Sequence, residues 1–250
     1  MNDTNVRSAV ITGAYKGIGK CIALRLAKDG FNIIINYRNK NKKAEAEATA
    51  EECRRYNVKA EIFQADVSVE DNCKALVDFA NEKFGSVDVL VNNAGVVSYG
   101  LLTRVKEEEY RRVISCDQDS AFFMMKHAAK SMSKNKYGRI INISSMAGIR
   151  GFSGGLVYSA AKGAVISMTK AAAKELSGKN ITVNAVAPGM VNTDMNGIVS
   201  EEQNKRVTKN IGMGRYGLPE EVAGAVAYFA SDEAAYTTGA VIEIHGSMES

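Results

Sequence analysis

A chain of 250 residues with 46% hydrophobic and 24% charged residues is long enough to bury a sizeable core. Two prolines, no charged or Ser/Gly-rich linker and no internal repeat point to one domain over residues 1–250. The net charge of +4 is scattered, with its clearest cluster at Arg38 to Lys43, which excludes a nucleic-acid face but leaves room for a small anionic ligand. The polar Met1 to Arg7 segment, and the lack of any apolar run near the ~18 residues of a membrane span, predict a cytoplasmic protein with no membrane partner. Cys21, Cys53, Cys73 and Cys116 are isolated, so neither disulfides nor a metal site is expected.

In chain order, Ser8 to Thr12 is a short apolar run followed by Thr12-Gly13-Ala14-Tyr15-Lys16-Gly17-Ile18-Gly19, after which apolar residues fall at helical spacing up to Gly30. This predicts strand, glycine turn and helix, the arrangement in which backbone N–H groups and a helix N-terminus receive a pyrophosphate. The next strand, Asn32 to Asn36, leads into Tyr37-Arg38-Asn39-Lys40. An NAD enzyme is expected to carry a carboxylate here for the ribose 2′-hydroxyl. Arg38, with Lys16 from the glycine turn, instead suits a 2′-phosphate, so NADP(H) is favoured over NAD(H). The alternative is that Arg38 and Lys40 are solvated loop charges.

Ala44 to Tyr56 reads as an exposed helix, Ala60 to Gln64 as a strand ending near Asp66 and Val67, and Val69 to Phe84 as a helix. Val87 to Val91 is a buried parallel strand by its continuous apolar character, and it runs into Asn92-Asn93-Ala94-Gly95. Glu107 to Ser133 is expected to be one long helix, with Met124, Met125 and Met132 as core or subunit-interface filler. Arg139 to Ile143 is a strand ending in Ser144-Ser145, and a helix then runs to about Leu176. In that helix Tyr158 and Lys162 stand four apart on one face, where an ammonium favours the phenolate of a neighbouring phenol. The bland reading is a surface tyrosine under a lysine stem. Thr182 to Val186 forms a strand before Pro188-Gly189; Met195 to about Met213 reads as irregular, and about 190–213 as a substrate lid. A helix from Pro219 and a strand at Ala240 to Ile244 close the pattern. Alternating strands and helices predict an α/β fold, a Rossmann-like doubly wound parallel sheet with helices on both faces.

Thr12-Gly13-x3-Gly17-Ile18-Gly19, Asp66, Asn92-Asn93-Ala94-Gly95, Ser145, Tyr158-x3-Lys162 and Pro188-Gly189 with Thr193, in this order, resemble the short-chain dehydrogenases/reductases over nearly the whole chain. The resemblance implies that Gly13, Gly17 and Gly19, with Tyr15, Lys16 and Ile18 of the same turn, lie along the pyrophosphate. It likewise implies that Asp66 and Val67 flank the adenine and that Asn93, Ala94 and Gly95 line the ribose. Pro188, Gly189, Val191 and Thr193 are implied to lie near the nicotinamide. Ser145 would hold the substrate oxygen, Tyr158 transfer the proton, and Lys162 bind the nicotinamide ribose while keeping Tyr158 reactive. Within the family the pattern is most similar to the 3-oxoacyl carrier-protein reductases, so the expected substrate is a ketone, with a 3-oxoacyl thioester as the candidate this similarity implies, and the expected assembly a homotetramer through two long helices. Steroid, sugar or small secondary-alcohol dehydrogenation is the alternative enzyme reading. A catalytically impaired nucleotide-binding sensor or scaffold is the alternative of another class.

Two positions depart from the family. Asp117 stands where the family usually has a catalytic Asn, and a carboxylate there is expected to pair with Lys162 and alter the pH profile. His245-Gly246-Ser247 replaces an Asp-Gly-Gly or Asn-Gly-Gly, and His245 reads as a packing or subunit-contact residue; His127 has less claim to catalysis. Gly155-Leu156-Val157 before Tyr158 suggests a pocket for an apolar ketone. Lys136 and Lys179 read as solvated surface charges.

Overall fold

Alternation of side chains along the strands divides the hydrophobic core into two layers. In β2 (Asn32–Tyr37), Ile33 and Ile35 enter one layer while Ile34 enters the other, and all three are fully buried. The computed structural model describes residues 6–193 and 201–248. Seven parallel strands form one sheet in the order β3-β2-β1-β4-β5-β6-β7. The others are β1 (Ser8–Ile11), β3 (Ala60–Gln64), β4 (Val89–Asn92), β5 (Gly138–Ile143), β6 (Ile181–Pro188) and β7 (Val241–Ile244). Helices α1 (Gly17–Lys28), α2 (Lys43–Arg54) and α9 (Pro219–Ala230) contribute to the layer with Ile33, whereas α3 (Glu70–Phe84), α5 (Ser120–Asn135) and α7 (Leu156–Leu176) contribute to the layer with Ile34. Both faces of the strands are thereby covered, which is why they read as continuous apolar runs.

β1 pairs with β2 on one side and β4 on the other, so the chain reverses its winding direction between β1 and β4. Loops from the C-terminal ends of these two strands diverge there, and open α/β sheets place their ligands in that crevice.

Three elements differ from expectation. α2 is not exposed all round: Ala46, Thr49, Ala50 and Cys53 are buried against the sheet, because small residues allow a charged helix to lie close. The helix expected from Glu107 to Ser133 is α4 (Glu107–Val113), a π-helical stretch at Ile114–Asp119, and then α5. Within the segment expected to be irregular, Glu201–Lys209 forms α8, while residues 194–200 lie outside the described residues. α6 is a short helix at Met146–Arg150. Met124, Met125 and Met132 are buried in the core. The four cysteines are free thiols, and burial pushes Cys53 and Cys73 up to about 12.

Candidate active site

The glycine turn is shaped from its backbone outward. Gly13 and Gly17 adopt left-handed conformations, with φ of 63° and 55°. α1 begins after Lys16 with no side-chain cap and no acidic residue in its first turn, so its N-terminal N–H groups face outward with a favourable dipole for an anion. Across the turn, the Thr193 side chain would approach a Cβ on Gly17 only to 3.8 Å. Thr12 joins the neighbouring loops: its Oγ1 accepts from the backbone N–H groups of Asn93 (3.0 Å) and Ala94 (2.9 Å), and Asn93 Nδ2 donates back to the Thr12 carbonyl at 2.9 Å. A Cβ on Gly19 would stand 2.5 Å from Asn93 Nδ2, so this glycine lets helix, turn and β4 loop pack together. The expected pyrophosphate residues and Asn93, Ala94 and Gly95 therefore form one cradle at the strand reversal. That cradle, with an uncapped helix N-terminus, fits a dinucleotide diphosphate.

Asp66 and Val67 follow β3, where the Asp66 carboxylate accepts from the Ser68 N–H (3.1 Å) and Oγ (2.7 Å), and Val67 is buried. Arg38 is exposed at the end of β2, and its Nη1 donates to Cys116 Sγ at 3.4 Å. Lys16 Nζ lies 5.8 Å from the centre of the Tyr15 ring. Pro188 ends β6, Gly189 packs against His245, and Val191 is buried.

Beyond the cradle, the chemically active side chains converge. Ser145 caps α6, with its Oγ accepting from the Ala147 N–H at 3.1 Å, and its hydroxyl is near enough to Tyr158 to favour the phenolate. Lys162 is almost wholly buried; its Nζ donates to the Ile143 carbonyl at 3.1 Å and lies 5.8 Å from the centre of the Tyr158 ring. Gly148 makes this approach of α6 to α7 possible, because a Cβ there would press into the Lys162 backbone at 2.6 Å. Ser144 Oγ also donates to the Lys162 carbonyl at 2.8 Å.

Asp117, carried in by the π-helical stretch, places Oδ1 3.0 Å from Lys162 Nζ, and its side chain has no exposed surface. The approach is bent, so Oδ1 is held by charge rather than by a well-aligned hydrogen bond. Oδ2 accepts from the Val96 N–H at 3.0 Å. Gly95 has no side chain at the point where a Cβ would strike Oδ1, so the β4 loop can close on the pair. Insertion of a wide turn into a helix re-aims side chains, and such turns recur at functional sites.

The electrostatics follow from burial. Loss of solvent pushes the Tyr158 phenol above its ordinary value, Lys162 pulls it down, Asp117 pushes it up again, and the Ser145 hydroxyl favours the phenolate. Burial acts against the Lys162 charge, but Asp117 and Tyr158 outweigh it and hold the ammonium above its ordinary range. Lys162 therefore remains a cation beside Tyr158.

His245 is outside this group: Nδ1 accepts from the Met248 N–H at 2.9 Å and Nε2 lies 3.3 Å from Glu243. His127 contacts Glu70 at 3.3 Å, and Lys136 and Lys179 are exposed. A cavity of about 520 Å³ lined by Arg7, Arg25, Phe31 and Asp232 lies at the N-terminal edge of the strands, away from these groups. Its two arginines are already paired, with Asp232 (2.9 Å) and Asp29 (3.0 Å). The sequence gives no signal for Ser144 or the Val96 N–H as site groups; Thr12 lies in the glycine motif, but its role emerges only when β1 and the β4 loop meet.

The fold and this site define a nicotinamide-dependent oxidoreductase acting on CH–OH or C=O. A family model described as enoyl-(acyl carrier protein) reductase matches residues 13–248, and the chain belongs to the short-chain dehydrogenase/reductase family. It is 42% identical over 242 residues to a 3-oxoacyl-[acyl-carrier-protein] reductase of Staphylococcus aureus, covering 97% of this chain and 98% of the relative. A 3-oxoacyl-[acyl-carrier-protein] reductase of Synechocystis is 41% identical over 249 residues, covering 99% of each. The crystal structure of a putative gluconate dehydrogenase from Agrobacterium tumefaciens superposes with a TM-score of 0.92 at 31% identity, covering 97% of this chain and 95% of that one. The family uses NAD(P)H.

Proposed function

We propose that the protein reduces the ketone of a 3-oxoacyl thioester to a secondary alcohol with NADPH. The observation that carries this is the meeting of the Ser145 hydroxyl, the Tyr158 phenol and the buried Lys162 ammonium beside the glycine cradle. Gly13, Gly17 and Gly19 would hold the diphosphate, Asp66 and Val67 the adenine end, and Asn93 to Gly95 with Lys162 the riboses; Thr193 would meet the nicotinamide amide. When bound, NADPH supplies the hydride for the carbonyl carbon and becomes NADP⁺. Ser145 donates a hydrogen bond to the carbonyl oxygen as negative charge develops there, and Tyr158 transfers its phenolic proton to that oxygen. Lys162 stabilises the resulting phenolate electrostatically, and Asp117 holds the ammonium in place from behind.

NADPH is preferred on the grounds of Arg38 and Lys16 and of the missing carboxylate after β2. The acyl thioester reading draws on the two bacterial reductases, and a homotetramer through α5 and α7 is supported by Phe122, 49% exposed on α5. The test is Tyr158→Phe assayed with 3-oxoacyl thioesters. Turnover should fall by about 10²–10⁴ while NADPH still binds. Retained turnover would remove Tyr158 from the mechanism.

A further inference from the structure

Beside the catalytic phenol two loops are tied together, and neither was singled out as a pair by its sequence. The Gly100 N–H, after β4, donates to the Gly154 carbonyl at 2.7 Å, and Gly100 and Gly155 form a parallel bridge. This connection brings the Tyr99 and Phe152 rings edge to face, with centroids 6.1 Å apart. Tyr99 is close enough to Tyr158 to act on its charge. Phe152 lies over Gly155, where any Cβ would fall within its ring. Gly151 and Gly154, with φ of 70° and 81°, give the loop the turns that set Phe152 there.

The surface so made is apolar and open. Tyr99 is 75% exposed and Phe152 41%, and Leu101, Leu102 and Leu156, close to them in the chain, are 52%, 68% and 46% exposed. One exposed apolar side chain is ordinary, but several large ones gathered on two loops that are bonded to each other mark a contact site. This one begins next to Tyr158. Its loops are joined to each other by a backbone hydrogen bond, so the rings are held in position before any ligand arrives.

Resting on the reading of the protein as a ketone reductase, we infer that Tyr99 and Phe152 are specificity-determining residues, a two-ring wall along which the apolar arm of the ketone substrate lies. The wall favours linear alkyl or acyl arms and disfavours polyhydroxylated ones, whose hydroxyls would lose water without gaining a partner. Binding should tighten with each methylene that reaches the rings, by up to about fourfold.

The experiment compares the wild-type chain with Tyr99→Ala, Phe152→Ala and Gly155→Ala. Gly155→Ala displaces the Phe152 ring by occupying its seat and leaves its chemistry intact. kcat and KM are measured with NADPH and N-acetylcysteamine thioesters of 3-oxo acids from butanoyl to dodecanoyl, and with a polyhydroxylated ketone. In parallel, the matching 3-hydroxyacyl thioesters are titrated calorimetrically into the enzyme saturated with NADP⁺. The wild type should show KM and Kd falling with chain length. Each variant should reduce the long-to-short ratio of kcat/KM by about tenfold, mainly through KM. Loss of turnover with the length-dependent binding intact would fail the ketone-reductase reading and leave the wall standing. A wild type with no length dependence in binding, variants that depress short and long chains equally, or a preference for the polyhydroxylated ketone would overturn the wall.

Discussion

Asp117 and Lys162 form a buried ion pair in which each charge depends on the other. A carboxylate with no exposed surface needs a cation or donors, and Asp117 has the Lys162 ammonium at 3.0 Å and the Val96 N–H at 3.0 Å. The pairing sets a direction for the pH profile. Asp117 opposes the phenolate of Tyr158, and without Asp117 the Lys162 ammonium is still favoured by the Tyr158 charge and still donates to the Ile143 carbonyl. In Asp117→Asn the ammonium acts on Tyr158 without a counter-ion, so the acidic limb of alcohol oxidation, which requires the phenolate, should move to lower pH. Profiles that coincide with wild type, or move to higher pH, would count against this role. A second prediction concerns Arg38. If it meets the 2′-phosphate, Arg38→Ala should weaken NADPH by about tenfold or more, the value of a charged hydrogen bond, and leave NADH nearly unchanged in fluorescence titrations. Equal losses for both would assign it a structural role through its contact with Cys116.

At the scale of elements, the helix ends and interruptions position the site. α1 has no side-chain cap, which suits the proposed diphosphate, whereas α9 is capped by its own chain: Glu221 accepts from the Leu218 N–H at 2.7 Å and from both terminal nitrogens of Arg215, at 2.9 and 2.7 Å. The Arg215 hydrogen bonds, then the Leu218 N–H, hold the Glu221 carboxyl down at about 2 from an ordinary value of 4.5. Because the folded value lies below the unfolded one, this contribution to stability is present above about 4.5 and is lost as pH falls through about 2. Glu221→Gln should lower Tm at neutral pH, and the gap from wild type should close across that acidic window. A gap independent of pH would mean that the charge is not responsible. The π-helical stretch has the opposite purpose to a cap, since it widens the helix within its length and turns Asp117 toward α7. Helical periodicity in the sequence joins Tyr110, Val113, Phe122 and Met125 across the interruption. One long helix was therefore legible, and its widened turn was not.

For the whole molecule, seven parallel strands bring Thr12, Asn93, Ser145, Tyr158 and Lys162 to one edge from positions far apart in the chain. A buried chain of polar side chains braces that edge from below: Asn92 Nδ2 donates to Asn142 Oδ1 at 2.8 Å, and Asn142 Nδ2 donates to Thr169 Oγ1 at 2.9 Å, linking β4, β5 and α7. No helix among the described residues is long and apolar enough to cross a membrane. If α5 and α7 pair between copies, sedimentation equilibrium should yield the mass of four chains, and Phe122→Glu should dissociate them; a monomeric wild type would dismiss the assembly. The succession of seven strands, the glycine turn and the Tyr158–Lys162 spacing were all determined by sequence alone, because continuous apolar runs, the spacing of glycines and the four-residue helical repeat are local properties. The family resemblance already implied that Asp117 pairs with Lys162, but the geometry of that pair, and the meeting of Tyr99 with Phe152, were decided only by tertiary structure. Each joins residues from elements far apart in the chain, and which elements meet depends on strand order and on the missing side chains of Gly95 and Gly155, which no local pattern records.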